Sequence, residues 1–260
     1  MKSKIKKILT KFTYFLNSKS NRLTRSLYFD SLEPDKNILI TTSDGLYFMG
    51  STSDRAITRS VYINQNAYNS RHLIKCMKLL KFDQINTLYE VGANIGTIGI
   101  YALKNELARK CVAFEPEPNN FRYLKINSSL NNVEENYELY ETGLSNENSN
   151  AVKFEIKSEN HGAHRILLDS TDYDLLLNKN SILIRTQMLN EYFSKNVKNG
   201  SLVFVDAEGF EGHILSGASK FIMAKIPICL EFWPYALKNL NGFELLKQSL
   251  INAPYERIYD

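Results

Sequence analysis

Residues 87–99 read TLYEVGANIGTIG, an apolar run that ends in an acid and passes into a glycine-rich turn. Leu88, Tyr89 and Val91 suit a buried parallel strand, whereas Ile98, Ile100, Tyr101, Leu103 and Leu107 recur at helical spacing. The period therefore changes across residues 92–96, and a strand, a tight turn and a helix are expected. Glycine lets the backbone turn sharply and lets a ligand approach main-chain N–H groups at the positive end of the helix dipole. The next apolar run, CVAFEPEP, ends in Glu115. In a βαβ unit an acid at the tip of the second strand faces the crevice and can accept both hydroxyls of a ribose. The pair of motifs predicts a nucleoside site.

Two nucleoside cofactors fit that geometry. A dinucleotide fingerprint needs G-x-G-x-x-G, but here Asn94 stands where the second glycine belongs, and Glu90 precedes Gly92 by two residues. This disfavours a nicotinamide-dependent oxidoreductase. The pattern acid-x-Gly-x-Asn-x-Gly is similar to motif I of class I S-adenosyl-L-methionine (SAM) methyltransferases. Asn tolerates left-handed dihedrals, so Asn94 can make the turn and still offer its amide.

The chain has 260 residues, 43% of them hydrophobic, enough for one sizeable core and a small appendage. Cys76, Cys111 and Cys229 are scattered with no C-x-x-C pair, which predicts a reducing compartment and no zinc site. The net charge is +4. Residues 1–25 hold Lys2, Lys4, Lys6, Lys7, Lys11, Lys19, Arg22 and Arg25 and no acid, so the remainder is net acidic and no nucleic-acid partner is expected. No apolar run reaches the roughly 18 to 20 residues of a membrane span, and a signal-peptide core is lacking, so a cytoplasmic location is expected. Ile5, Ile8, Leu9, Phe12, Phe15 and Leu16 share one helical face opposite the lysines. Residues 1–20 can thus lie peripherally on an anionic membrane, or simply form a solvated helix.

Residues 37–42 and 46–49 flank Ser-Asp-Gly, a hairpin signal, and one helix is expected over about 66–80. Residues 1–80 therefore read as a basic helix and cap, joined directly to a catalytic domain over 81–260. Pro118 opens a helix that stops at Asn131-Asn132, and residues 137–142 form a third strand. Val152, Phe154 and Ile156 alternate, as do Ile182 and Ile184, which predicts a β-hairpin insertion outside the parallel sheet. His161 and His164 lie between, with Glu159 and Asp169 nearby, and read as polar loop residues rather than metal ligands.

In SLVFVDAEGFEGHILSGASKFI a buried strand ends in Asp206, and one helix is expected with Ile214, Leu215, Ala218, Phe221 and Ile222 facing inward. Ligands of open α/β sheets bind beyond the carboxyl ends of the strands, so Asp206, Glu208, Glu211 and His213 are placed at the mouth of the crevice shared by Gly92 and Glu115. Glu211 can equally serve the helix dipole. A divalent metal on Asp206, Glu208 and Glu211 is a rival that we set aside, because a hard cation wants more oxygen ligands than one short turn supplies. PICLEFWP gives a further strand ending at Glu231, Phe232 and Trp233, with a helix over about 242–251. Burial beneath Trp233 is expected to raise the pKa of the base.

The stretches YEVGANIG, AFEPEPNNFRYLKINSSLNN, TGLSNENSNAVKF, VDAEGFEGHILSGA and ICLEFWP, in this order, resemble the FkbM-type SAM-dependent methyltransferases. The resemblance implies a Rossmann-like class I α/β fold: a mainly parallel twisted sheet with helices on both faces. It also implies methyl transfer, usually to oxygen, on a saccharide of a surface glycan or on another hydroxyl-bearing acceptor such as a natural product. A scaffold that binds SAM without turnover is the reading outside catalysis. Carried onto this chain, the SAM contacts are Glu90, Gly92, Ala93, Asn94, Gly96, Phe114, Glu115, Pro116, Gly143, Leu144 and Asp206. The catalytic set is Asp206, Glu208, Glu211 and His213. The chain departs from the family at Phe204, where a lysine is common, and at Asn190, where Leu-Asp is common. The family sheet has seven strands in the order 3-2-1-4-5-7-6, and residues 253–260 are too few for its closing hairpin. The sheet is therefore expected to lack its last strand, with the chain truncated or another segment covering the edge.

Overall fold

The computed structural model of the chain describes residues 21–157, 160–162, 164–166, 181–194, 197, 200–251 and 253–259. The basic segment 1–20, with Glu159 and Asp169, lies outside them. Helix α1 (Asn21–Asp30) is followed by strands β1 (Asn37–Thr41) and β2 (Tyr47–Ser51), which pair antiparallel with Ile40 opposite Phe48. The predicted hairpin is present. The helix expected over 66–80 is α3 (Ser70–Leu80), and a helix the sequence did not suggest, α2 (Ile57–Asn64), precedes it. Gln65 and Asn69 both adopt left-handed dihedrals, at φ 55° and 57°, and turn the chain between them. Asp54 starts α2 by accepting from the N–H groups of Ala56, Ile57 and Thr58.

The main sheet then builds from β3 (Ile85–Val91), α4 (Thr97–Lys104), β4 (Ala108–Phe114), α5 (Pro118–Leu130) and β5 (Tyr137–Tyr140). A second sheet follows, made of β6 (Gly143–Leu144), β7 (Ser149–Glu155), β8 (Arg165–Ile166) and β9 (Ser181–Gln187). Val152 pairs with Ile184 and Phe154 with Ile182, antiparallel and apart from the main sheet, as the alternation predicts. The chain returns through β10 (Leu202–Val205), α6 (Glu211–Ser216), α7 (Ser219–Met223), β11 (Ile228–Leu230), α8 (Pro234–Asn239) and α9 (Gly242–Ile251). The one helix expected after Asp206 is thus broken in two. A Cβ at Gly217 would strike the Ser145 carbonyl, just after β6, so glycine at the break lets the two segments approach.

Sheet order is β11-β10-β3-β4-β5, every pair parallel, which is the doubly wound α/β arrangement with β3 at its centre. Alternate strand residues feed two cores. Leu88, Cys111, Ala113, Leu202 and Phe204 pack with Ile100 and Leu124, and that cluster continues into Phe48, Val61, Leu73 and Met77. The N-terminal cap is therefore fused to the sheet by shared apolar contacts. On the other face Tyr89, Val91, Val112, Phe114, Val203 and Val205 pack with Ile214, Phe221 and Leu237, and with Phe154 and Ile184 of the second sheet. Among the described residues no strand pairs outside β11, and residues 253–259 form none. Both closing strands of the family sheet are missing there, one more than the sequence suggests. No helix among the described residues is long and apolar enough to cross a membrane.

Candidate active site

Register sets the site. Val91 lies opposite both Phe114 and Val205, and Val205 lies opposite Leu230. The residues that follow these four, Gly92, Glu115, Asp206 and Glu231, are therefore carried to one level at the carboxyl end of the sheet. This is where open α/β sheets bind ligands. A cavity of about 1390 Å³ runs along this row. Its lining includes Glu90, Gly92, Ala93, Asn94, Phe114, Glu115, Pro116, Gly143, Leu144, Asp206 and Glu208.

The turn after β3 is left-handed at Gly92 (φ 82°), Asn94 (φ 51°) and Gly96 (φ 85°), so Asn94 takes the conformation read from the motif. A Cβ at Gly92 would fall well inside 3.0 Å of the Asp206 carbonyl oxygen, a separation that real Cβ atoms essentially never show. Glycine thus lets the turn and the β10 tip meet. Glu115 is buried and accepts from the Asn94 N–H at 2.7 Å and the Glu117 N–H at 2.8 Å. Burial raises its carboxyl to about 8, against the pull of these two donors. The Asn94 amide donates to the His161 carbonyl at 2.8 Å, which ties the second sheet's loop to the turn. Asn120, which also lines the cavity, donates to the same carbonyl at 3.2 Å, while its own buried Oδ1 has no partner.

Glu90 sits beneath the turn. It accepts from the Tyr137 hydroxyl at 2.5 Å and from the Gly99 N–H at 3.1 Å. Burial raises it to about 7, with these bonds opposing. Its carboxylate is committed to pinning the start of α4. Gly96 takes up Leu124 and Ile100 where a side chain would be, so it too packs the turn rather than opening it.

On the far side, Asp206, Glu208 and Glu231 each present a carboxylate oxygen within 4.8 Å of the others. Asp206 accepts from the Asn69 amide at 2.9 Å, and burial raises its pKa despite that bond. Glu208 occupies a left-handed position at φ 52°. Glu231 is exposed as a residue, yet loss of water around its carboxyl, followed by the charges of Asp206 and Glu211, raises that group to about 7. The third member of the acid cluster is thus Glu231. Glu211, named in the sequence reading of a metal, is fully buried and turns one oxygen to the N–H groups of Ala207 (3.1 Å) and Gly209 (3.2 Å).

His213 is occupied as well: Nε2–H donates to the Leu240 carbonyl at 2.8 Å, and the ring stacks on Phe210 at 4.2 Å between centroids. Burial lowers its pKa. Neither residue lines the cavity. Trp233 is 43% exposed and does not line the cavity, and the raised carboxyl values come from burial and the charges of neighbouring acids. His164 accepts the Lys157 N–H through Nδ1 at 2.9 Å and is lowered to about 4 by burial and by His161.

The cap supplies what the sequence reading missed. Tyr68, Asn69 and His72 line the cavity over the acid cluster, and burial followed by the charges of Asp206, Glu208 and Glu231 raises the Tyr68 hydroxyl. His72 Nδ1 lies 3.1 Å from Asn69 Oδ1, completing a relay from His72 to Asp206. No local pattern marks these three, whereas Glu231 carries the same signal as Glu115 and Asp206, an acid directly after a buried strand.

Residues 90–244, more than half of the chain, match the model of the methyltransferase FkbM domain. The chain belongs to the FkbM methyltransferase family. Solved structures similar to this FkbM-family chain include the methyltransferase FkbM of Methylobacillus flagellatus KT, at 14% identity and TM-score 0.42, covering 65% of this chain and 38% of that one. Precorrin-6y C5,15-methyltransferase of Geobacter metallireducens GS-15 is similar at 13% identity and TM-score 0.36, over 68% of this chain and 70% of that one. TYW2 of P. horikoshii, in complex with MeSAdo, matches at 17% identity and TM-score 0.30, over 43% and 40%. The FkbM-family chain spans 37%, 38% and 40% of the first three solved structures it matches. No curated protein matches it.

Proposed function

We propose that this chain is a SAM-dependent methyltransferase that methylates a hydroxyl oxygen, with a saccharide as the acceptor. The observation that carries the proposal is the row at the sheet's carboxyl end. It joins the Gly92 turn and Glu115, suited to a nucleoside, to the carboxylates Asp206, Glu208 and Glu231, suited to a hydroxyl and its proton. The donor fit rests on Asn120, which lines the cavity and whose buried Oδ1 has no partner. Together with Glu115 it offers acceptors to the hydroxyl and amino groups of a nucleoside. Bound there, SAM supplies an electrophilic methyl on a positively charged sulfur.

The chain's residues then hold, orient and deprotonate. Glu115 takes the ribose hydroxyls, Ala93 and Asn94 present the turn, and Phe114, Pro116, Gly143 and Leu144 wall the cavity. Displacement at a methyl group needs donor and acceptor in line, and most of the rate comes from holding them so. Asp206, fixed by Asn69, lies at the junction of the two halves, and Glu208 faces the acceptor side. One of these carboxylates takes the hydroxyl proton as the new bond forms, a role worth roughly 10²- to 10⁴-fold. Burial raises the Asp206 pKa, which moves a weak carboxylate base toward neutral pH. Glu211 and His213 act by positioning: Glu211 ties down the backbone at Ala207 and Gly209, and His213 anchors α6 to Leu240.

A saccharide suits the remaining wall. Phe232 lines the cavity beside Glu231 and is 58% exposed, so an apolar ring face lies next to hydroxyl-binding carboxylates. The test is mass spectrometry of surface glycans from a strain lacking the gene, together with calorimetry of SAM binding. We expect micromolar-range SAM binding and the loss of one methyl group from a glycan. Intact SAM binding with every glycan unchanged would refute the saccharide assignment, and absence of SAM binding would refute the whole reading.

A further inference from the structure

Helix α3 and strand β11 meet at a pair of thiols. Cys76 of α3 and Cys229 of β11 lie 153 residues apart in the chain, and their sulfurs are 2.7 Å from one another, about 0.7 Å beyond a disulfide bond length. Both are free cysteines, partly exposed, and both line the cavity, so a small molecule in the cleft reaches them. Cys111, by contrast, is fully buried beneath the Gly99 carbonyl and faces no other thiol. We propose that Cys76 and Cys229 are a reversible disulfide site that clasps the N-terminal cap to the edge of the main sheet, with a low-molecular-weight disulfide of the glutathione class as the oxidant.

The pair is chemically asymmetric. The hydrogen bond the two sulfurs share, aided by Lys75, lowers the Cys76 thiol, while the same bond and burial raise Cys229. Cys76 is therefore the thiolate that attacks the small disulfide, forming a mixed disulfide and releasing one small thiol. Cys229 then loses its proton and attacks the Cys76 sulfur, releasing the second small thiol. Two protein thiols are oxidised to one disulfide and the small disulfide is reduced to two thiols, so electrons and protons balance. Reduction by an excess of the small thiol runs the same two steps backward.

The clasp joins elements that both reach the acid cluster. Seven residues before Cys76, Asn69 holds Asp206, and two residues after Cys229 stands Glu231. Closing the bond restrains cap and sheet across a long loop, which stabilises the fold mainly by restricting the unfolded chain.

The test treats the reduced full-length chain with oxidised glutathione, blocks remaining thiols with an alkylating agent, and measures intact mass and cross-linked peptides. We expect a product lighter by two hydrogens, a Cys76–Cys229 linked peptide, and Cys111 modified only after denaturation. The thermal midpoint of the oxidised chain should rise by roughly 5 °C or more. Cys229→Ser should instead stop at a glutathione adduct on Cys76, with no rise in midpoint. If the parent chain also stops at adducts, or keeps both thiols free, the proposal is overturned. None of these readouts depends on methyl transfer.

Discussion

Gly92→Ala probes the point where the two halves of the site touch, and Gly45→Ala serves as its control. The two glycines share nearly the same dihedral, φ 82° and 81°. Either alanine bears the left-handed backbone penalty of about 1 to 2 kcal/mol. An added methyl at Gly45 meets nothing within 4 Å, whereas at Gly92 it meets the Asp206 carbonyl. That partner is backbone at the tip of β10, held by the Asp206 N–H donating to the Val91 carbonyl at 3.0 Å, so it cannot rotate aside. Separating the two tips adds an overpacking cost of about 1 to 3 kcal/mol. Gly92→Ala should therefore lower stability by about 2 to 5 kcal/mol, against about 1 to 2 for Gly45→Ala. Urea denaturation measures both, and thermal midpoints should fall by about 2 to 4 °C per kcal/mol in a chain of this size. Equal losses for the two variants would show that the turn and the β10 tip do not meet as described.

Glu115→Ala should weaken SAM binding by about 1.5 to 3 kcal/mol, roughly 10- to 150-fold in Kd, and calorimetry showing parental affinity would remove the ribose assignment. Asp206→Asn and Glu208→Gln should each lower kcat by roughly 10²- to 10⁴-fold, with SAM binding largely retained in Glu208→Gln. EDTA should leave the rate unchanged, and a rate abolished by chelation and restored by a divalent cation would move the three carboxylates to metal binding. Burial raises Glu90 to about 7 and Glu115 to about 8 from 4.5 in the unfolded chain, so the folded state binds the extra protons. Their contribution is fully present below about pH 4.5 and lost as pH rises through 7 to 8, a fall on the order of a few kcal/mol for each group. The ligand-free chain should thus be less stable at pH 9 than at pH 6, and Glu115→Gln should flatten that profile. A urea midpoint that rises over this range would contradict the burial of both carboxyls.

Most of the sheet could be read from the chain because its strands are short apolar runs punctuated by glycine or by an acid. Glu90, Glu115 and Asp206 stand out for the same reason, each being a charged residue next to residues that must be buried. The division of labour among them could not be read. Whether an acid meets ligand or backbone depends on what folds over it: Glu90 is taken up by Tyr137, and Glu211 by Ala207 and Gly209. Helix α2 was missed because ITRSVYIN is too short for a clear helical period, although Asp54 ahead of it is a capping residue. The contact of Asn69 with Asp206 and that of Cys76 with Cys229 are purely tertiary. Each joins the cap to a strand more than a hundred residues later, and neither leaves a local trace.

The central position of β3 also dictates an order of assembly. Its neighbour β4 follows within one crossover, but its other neighbour is β10, with Leu88 opposite Leu202. During synthesis β3, β4 and β5 can associate as soon as they leave the ribosome, whereas the second side of β3 stays unpaired until the insertion has been made. Parallel pairing over such a separation is intrinsically slow. The nascent chain therefore holds the Gly92 and Glu115 side of its cleft before the Asp206 and Glu231 side exists, and β3 waits with one edge open. A chaperone that shields the open edge of β3 over that interval would raise the yield of folded protein.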